Sequence, residues 1–284
     1  MQGFGQHETR KDTQKSRTLS PRPHRLYKAT LHYLCRMQIT YYGHSCFLLE
    51  VGKGEKKYKL LFDPFVTGNP TAEKHGVSVQ TLSDAQPDYI FLSHAHGDHS
   101  GDAEAVSRET GAPIIGVWEI YDYYQKRGCQ AVGMNVGGTF YGPEKTNADF
   151  SVKLVPAIHT SSFPDGTYGG VPVGFVIADG AQTIYYAGDT ALTVEMELIA
   201  ERYQLDLAIL PIGGHFTMDV EDAVEAALLL DVSHVMGVHY NTFPPIAIND
   251  EEAKRAFDEV GVTLHLLPVG KAWEVPQEKS SQEA

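Results

Sequence analysis

The sequence predicts a mixed α and β chain in which sheets are faced by helices, rather than a simple doubly wound fold. Three observations carry that prediction. Short strand-like runs crowd the chain just after Met37; from about residue 88 onward strand and helix patterns alternate; and no short-period repeat or low-complexity segment interrupts the body. With 284 residues the chain has enough sequence for a large buried core, and the patterns read as one domain.

The elements follow in order. Residues 38–42, 46–51 and 58–62 are rich in β-formers and punctuated by Gly43, Gly52 and Gly54, with Gly52-Lys53-Gly54 reading as a hairpin tip. Residues 63–86 hold Pro64, Gly68, Asn69, Pro70 and Gly76 and read as a loop. Residues 88–92 form a compact apolar strand, followed by helix over 102–109, strand over 113–117 and helix over 119–127. Strands are expected over 151–156, 171–178 and 182–187, helix over 194–203 and a buried strand over 207–210. Residues 219–230 read as a helix with Asp219 as its N-cap, 235–238 as a strand, and 250–260 as a helix stopped by Gly261.

Charge and composition narrow the function classes. Residues 1–36 hold eight Lys/Arg against two Asp/Glu, hence +6, while the other 248 residues carry −19 of the overall −13. An acidic body without a basic cluster after residue 60 disfavours nucleic acid as a partner. No apolar run approaches the roughly 18 residues of a membrane span, so no membrane association is expected. Cys35, Cys46 and Cys129 are odd in number and share no C-x-x-C spacing, which favours a reducing, cytoplasmic setting over a disulfide framework. The first 36 residues lack the apolar core of a secretory signal and are broken by Pro21 and Pro23. They are expected to be a flexible basic leader outside the fold, with the domain over 37–276 and a disordered tail over 277–284.

The chemistry concentrates in His94-Ala95-His96-Gly97-Asp98-His99, directly after the apolar run Tyr89-Ile90-Phe91-Leu92. Imidazole and carboxylate are the donors that hold Zn²⁺ and similar ions, and four of them fall within six residues. Gly97 permits the tight backbone that lets neighbours on both sides point inward. A His-rich surface turn is the bland alternative, and this spacing disfavours it by roughly ten to one. His159, Asp189 and His239 each stand at the end of an apolar strand, where open α/β architectures gather function.

Together these residues resemble the metallo-β-lactamase superfamily. Residues 39–47 (ITYYGHSCF), 61–70 (LFDPFVTGNP), 211–218 (PIGGHFTM) and 238–245 (VHYNTFPP) are similar to its UlaG-like, UPF0173-type branch of metal-dependent hydrolases, over about residues 37–275. The resemblance implies an α+β fold, a four-layer αββα sandwich of two mixed sheets with metals at one edge. It implies that His94, His96 and His159 hold a first divalent ion, that Asp98, His99 and His239 hold a second, and that Asp189 bridges them. Asp63 takes the place of a carboxylate that orients a ligand loop. Zn²⁺ is the favoured ion, with Mn²⁺ or Fe²⁺ acceptable to the carboxylates.

The mechanism so implied is two-metal hydrolysis by a water or hydroxide bridging the ions, with Asp189 and Asp98 as candidates for handling the proton. No G-x-S-x-G elbow suggests a serine nucleophile. His44 reads equally as a substrate contact or as a structural hydrogen-bonding residue. His215, in Gly213-Gly214-His215-Phe216-Thr217, is a candidate for binding an anion or stabilising an oxyanion, while His75, His234 and His265 read as structural or surface residues.

The resemblance points to a small lactone or a phosphorylated metabolite as substrate, with a nucleotide or small phosphodiester as the alternative. The flavodiiron members carry Glu where this chain has His96, which disfavours redox chemistry. A metal-free scaffold is disfavoured because all seven expected ligands are present. Oligomeric state is left open, a homo-oligomer included.

Overall fold

The computed structural model describes residues 36–52 and 56–277. The expectations for the leader, the tail and the hairpin tip at Gly52-Lys53-Gly54 therefore lie almost wholly outside the described residues. The chain first lays down β1 (Gln38–Gly43), β2 (Cys46–Val51), β3 (Tyr58–Phe62), β4 (Tyr89–Phe91), β5 (Ile114–Val117) and β6 (Ala131–Met134). Then come β7 (Thr139–Gly142), β8 (Phe150–Pro156), β9 (Val173–Ala178), β10 (Thr183–Tyr186), β11 (Leu207–Pro211), β12 (His234–Val238) and β13 (Thr263–His265). Finally β14 (Ala272–Glu274) returns to the edge of the first sheet.

Among the described residues the two sheets have seven strands each, in the orders β14-β1-β2-β3-β4-β5-β6 and β13-β12-β11-β10-β9-β8-β7. Each begins as an antiparallel meander, β1 to β3 or β7 to β10, and continues as parallel pairs, β3 to β6 or β10 to β13. Parallel pairs need crossovers, and helices supply most of them. In the first half these are α1 (Pro70–Lys74), α2 (Val79–Asp84), α3 (Gly97–Ser100), α4 (Ala103–Thr110) and α5 (Trp118–Lys126). In the second half they are α6 (Glu195–Arg202), α7 (Val220–Leu229) and α8 (Asp250–Asp258).

Two apolar clusters hold the layers. One joins the inner faces of both sheets and reaches under α4 and α5; the other lies between the second sheet and α6, α7 and α8. Helix, sheet, sheet and helix thus follow one another, as the αββα expectation requires. Between the sheets the rings of Phe47, Phe62 and Phe91 stack at 4.9 and 5.2 Å, one per neighbouring strand. From the second sheet Phe175 and Tyr186 meet Phe62 edge-on at 5.4 and 5.8 Å. This aromatic layer sets the sheets in register immediately beneath Asp63, the residue after Phe62.

Several elements differ from the sequence expectation. Residues 63–86 are not a plain loop: Asn69 caps α1 by accepting from the Thr71 and Ala72 N–H groups, and Ser78 with Thr81 forms the capping box of α2. The histidine run is not all loop either, since α3 begins at Gly97. Four strands, β6, β7, β13 and β14, carry too few residues to show a period of two, and their pairing partners define them. The Asp219 cap is as expected, with its carboxylate accepting from the Asp222 N–H, and Gly261 stands in the left-handed region just past α8. Among the described residues no helix is long and apolar enough to cross a membrane.

Candidate metal centre

The topology brings the chemistry together before any side chain is considered. β1, β3 and β4 run in one direction in the first sheet, and β8, β10 and β12 share a direction in the second. Their carboxyl ends are followed by His44, Asp63, His94, His159, Asp189 and His239 respectively. The side chains of these residues meet at one edge of the sandwich, as the contacts below show.

His94 is reached from β4 through Leu92 and Ser93, all fully buried. The chain then turns into α3, with His96 as its extended N-cap and Asp98 and His99 in its single turn. Glycine is needed at position 101, where a Cβ would fall 2.6 Å from the Gly97 carbonyl oxygen. This tight turn presents His96, Asp98 and His99 to the same edge as His94.

Asp63 organises the buried side of the cluster. Its carboxylate accepts from the Ser93 N–H (2.8 Å), the Ser93 hydroxyl (2.6 Å) and the Tyr186 hydroxyl (2.5 Å), and pairs with His99 Nδ1 at 2.9 Å. With His99 Nδ1–H spent on Asp63, Nε2 is turned toward Asp189 Oδ2, 3.2 Å away. Ser93 relays the same control to His94: its proton goes to Asp63, so its oxygen accepts from His94 Nδ1–H at 3.0 Å and leaves Nε2 free.

Asp189 lies at the middle. Its Oδ2 stands 3.2 Å from His99 Nε2, 3.2 Å from His239 Nε2, 3.6 Å from His159 Nε2 and 3.9 Å from His94 Nε2. His94 Nε2 is 2.9 Å from His96 Nδ1, and His239 Nε2 is 3.7 Å from Asp98 Oδ2. The donors form three overlapping groups with atoms within 4.8 Å of one another: His94, His96 and His159; His94, His99 and Asp189; and His44, Asp98, His99 and His239.

The arrangement fits divalent ions on two counts. Donors bonded at about 2.0–2.1 Å to one tetrahedral ion lie about 3.3 Å apart, close to the spacings around Asp189. In addition, His99 Nε2, Asp189 Oδ1 and His239 Nδ1 are buried without a hydrogen-bond partner. Orphaned polar atoms of this kind are costly in a folded interior, and cations would satisfy the first two.

Electrostatics follow from the same packing. Burial would push the Asp189 carboxyl up, but His99 and His239 hold it well below the usual carboxylate range. Burial pulls the His99 imidazole down, yet Asp189 and Asp63 hold it well above its ordinary value. His239, against the same pull of burial, is raised to about 9 by Asp189 and Asp98. His94, His96 and His159 are all lowered, first by burial, and His44 falls to about 4 through burial and the neighbouring His239. A cation entering the cluster must therefore displace protons from His99 and His239 while finding the other imidazoles already neutral.

Access is one-sided. The Asp98 side chain is 34% exposed and that of His159 15%, whereas those of His94, His99, Asp189 and His239 are at most 3% exposed. Asp63, His44 and His239 adopt left-handed φ values of 43°, 57° and 55°. Such conformations cost of order 1–3 kcal/mol each in non-glycine residues and persist where surrounding structure over-determines them.

The structure thus brings together all seven residues expected to hold metal, together with Asp63 and His44. It does not bring His215 into the cluster: that residue is exposed and its ring packs edge-on against Phe216 at 4.5 Å. Its loop does abut the strand end nearby, since a Cβ on Gly213 would meet the His239 carbonyl oxygen at 2.2 Å. His234 and His265 face each other at 3.2 Å away from the centre, and His75 is exposed. Sequence reasoning missed Ser93, Tyr186 and Thr242. Ser93 is adjacent to the histidine run, but Tyr186 and Thr242 act across 123 and 198 residues and leave no local signal.

Known proteins are similar to this chain in sequence and fold. Residues 58–240 match the Beta-lactamase superfamily domain. A UPF0173 metal-dependent hydrolase of Flavobacterium johnsoniae is 48% identical over 240 residues, 84% of this chain and 100% of the relative. One from Thermus thermophilus is 45% identical over 235 residues, 83% of this chain and 97% of its own. The solved structure of a metallo hydrolase from Ignicoccus hospitalis superposes with a TM-score of 0.73 at 34% identity, covering 84% of this chain and 97% of that one. The chain has the metallo-β-lactamase fold and belongs to the UPF0173 family of metal-dependent hydrolases within the beta-lactamase superfamily.

Proposed function

We propose that the chain is a dinuclear metal-dependent hydrolase of a small lactone or phosphorylated metabolite, its catalytic domain spanning residues 37–276. His94, His96 and His159 hold one divalent ion, Asp98, His99 and His239 the other, and Asp189 lies between them. The observation that carries this reading is the position of Asp189 Oδ2, which stands within 3.9 Å of Nε2 on four different histidines from both donor sets. The imidazole-rich set suits Zn²⁺, with Mn²⁺ and Fe²⁺ accepted by the carboxylates.

When bound, the ions supply a water acidic enough to attack near neutral pH and a Lewis acid for the developing oxyanion. The chain's own residues do the rest. Asp63 fixes the ring of His99 and, through Ser93, that of His94, so both aim Nε2 at the cluster: His94 already neutral, His99 after giving up the proton that a cation displaces. Asp189, held well below the usual carboxylate range by His99 and His239, stays ionised in the metal-free chain and is ready as an anionic donor to both sites. His96, Asp98 and His159, the partly exposed members, line the side from which substrate arrives. Two carboxylates cannot cancel two divalent charges, so the centre attracts an anionic substrate although the body of the protein is acidic.

The test is hydrolysis of lactones, phosphate esters, phosphodiesters and thioesters by metal-free protein reloaded with Zn²⁺, Mn²⁺ or Fe²⁺. Turnover of a lactone or phosphate ester that vanishes in Asp189→Ala is the expected result. Full activity in that variant contradicts the proposal, and preference for phosphodiesters shifts the substrate class.

A further inference from the structure

One imidazole at the strand ends has no place in the seven-donor arrangement. His44 is fully buried in the turn between β1 and β2, with a left-handed φ of 57°. Its carbonyl accepts from the His239 N–H at 2.9 Å and from the Tyr41 hydroxyl at 3.0 Å, so its backbone is tied to the strand end that carries His239. Its ring Nδ1 lies 3.0 Å from Thr242 Oγ1, and that hydroxyl donates to the Tyr240 carbonyl at 3.3 Å. A hydroxyl has one proton. In the tautomer with the His44 proton on Nδ1, the Thr242 oxygen accepts it while donating to Tyr240, and Nε2 keeps a lone pair for a cation.

That lone pair faces Asp98 Oδ2 at 3.2 Å. The 3.2 Å separation is close to the spacing of about 3.3 Å for two donors on one tetrahedral ion, so a cation can take the place that a proton on Nε2 would hold in its absence. The rest of the surroundings agree. The donor atoms of His44, Asp98, His99 and His239 lie within 4.8 Å of one another, and the His44 ring centroid is 5.6 Å from that of His99 and 4.1 Å from that of His239. A ring that merely braced Asp98 would have no need to face two further imidazoles.

We infer that His44 Nε2 is a further donor to the ion held by Asp98, His99 and His239, with Thr242 fixing its tautomer. This rests on the two-ion reading and adds to it: the second ion gains a third imidazole, delivered from the turn that follows β1.

The test is metal titration of the full-length protein, freed of metal, using Zn²⁺ for affinities and Co²⁺ for proton NMR of the ligand rings. It compares wild type with His44→Gln and Thr242→Val. Gln keeps a polar side chain of similar reach but is a poor ligand. Wild type is expected to take up two ions and to show a hyperfine-shifted ring resonance assignable to His44. In His44→Gln that resonance disappears and second-ion affinity falls at least about 100-fold, while Thr242→Val weakens it about 10-fold; both leave the first ion unchanged. A His44 resonance without hyperfine shift, or unchanged second-ion affinity in both variants, overturns the inference and leaves His44 as a brace for Asp98. If metal-free His44→Gln loses its circular dichroism, Thr242→Val decides by the same criterion. Wild type that binds only one ion, or none, refutes the two-ion reading itself, whereas two ions without the His44 signal refute this inference alone.

Discussion

The two halves of the donor cluster are built on different physical terms. His94, His96 and His159 are all lowered below the ordinary imidazole value; His96 and His159 reach solvent, and only His94 is wholly enclosed and tethered, through Ser93. His99 and His239 are instead enclosed and raised, and face the carboxylates of Asp63, Asp98 and Asp189. One half is neutral and open, the other charged and braced. The difference teaches that the braced half is preorganised by the protein's own ion pairs, whereas the open half supplies two of the three donors that reach solvent, His96 and His159, with Asp98 the third.

The largest expected effect comes from the residue both halves share. Asp189→Ala should lower kcat by about 10³-fold or more and reduce bound metal from two ions to one, read by steady-state kinetics and elemental analysis. Retention of two ions would show that the halves are independent and that Asp189 does not join them.

Asp63→Ala should act directly on the braced half through His99, and on the open half only through the hold of Ser93 on His94. It leaves His99 and the Tyr186 hydroxyl buried without their partner, at a cost of about 3–5 kcal/mol in a denaturant melt of metal-free protein. It should also weaken the second ion about 10–100-fold. A variant as stable as wild type would show that the pairing of Asp63 is incidental.

The pH dependence separates the halves without mutation. In metal-free protein His239 holds its proton up to about pH 9, whereas an unfolded histidine releases it near 6.5. The stabilisation this provides is fully present below about pH 6.5 and is lost as pH rises through about 9. Metal-free protein should therefore melt at progressively lower temperature across that window, while ion affinity rises over the same range because fewer protons must be displaced. A flat profile in metal-free protein would mean that His239 is not held protonated by Asp189 and Asp98.

The smallest effect belongs to the open half. Ser93→Ala removes the acceptor for His94 Nδ1–H and should cost about 1 kcal/mol of stability, with about a 10-fold loss at the first ion. The second ion should change less, because Asp63 still holds His99 directly.

Much of this was legible in the sequence because strand ends carry their own signature. His159, Asp189 and His239 each follow an apolar run, and β8, β10 and β12 are those runs. The helices α4 to α8 were visible because each is long enough for apolar positions to recur. α1 and α2, of five and six residues, fall below that length, so their caps rather than their periodicity mark them. The edge strands β13 and β14 have three residues each, and their identity lies in the neighbours they pair with. In the site, the donors were legible and their control was not. Tyr186 reaches Asp63 only because the aromatic layer of Phe47 and Phe62 sets one sheet against the other, a relation no local window contains.

The central claim is that the two halves are two ion sites sharing Asp189. Equilibrium titration of metal-free protein with Zn²⁺, counting ions per chain, tests it most directly. Saturation at two ions, falling to one in Asp189→Ala, is the predicted result; saturation at one ion or none in the wild-type chain would contradict it.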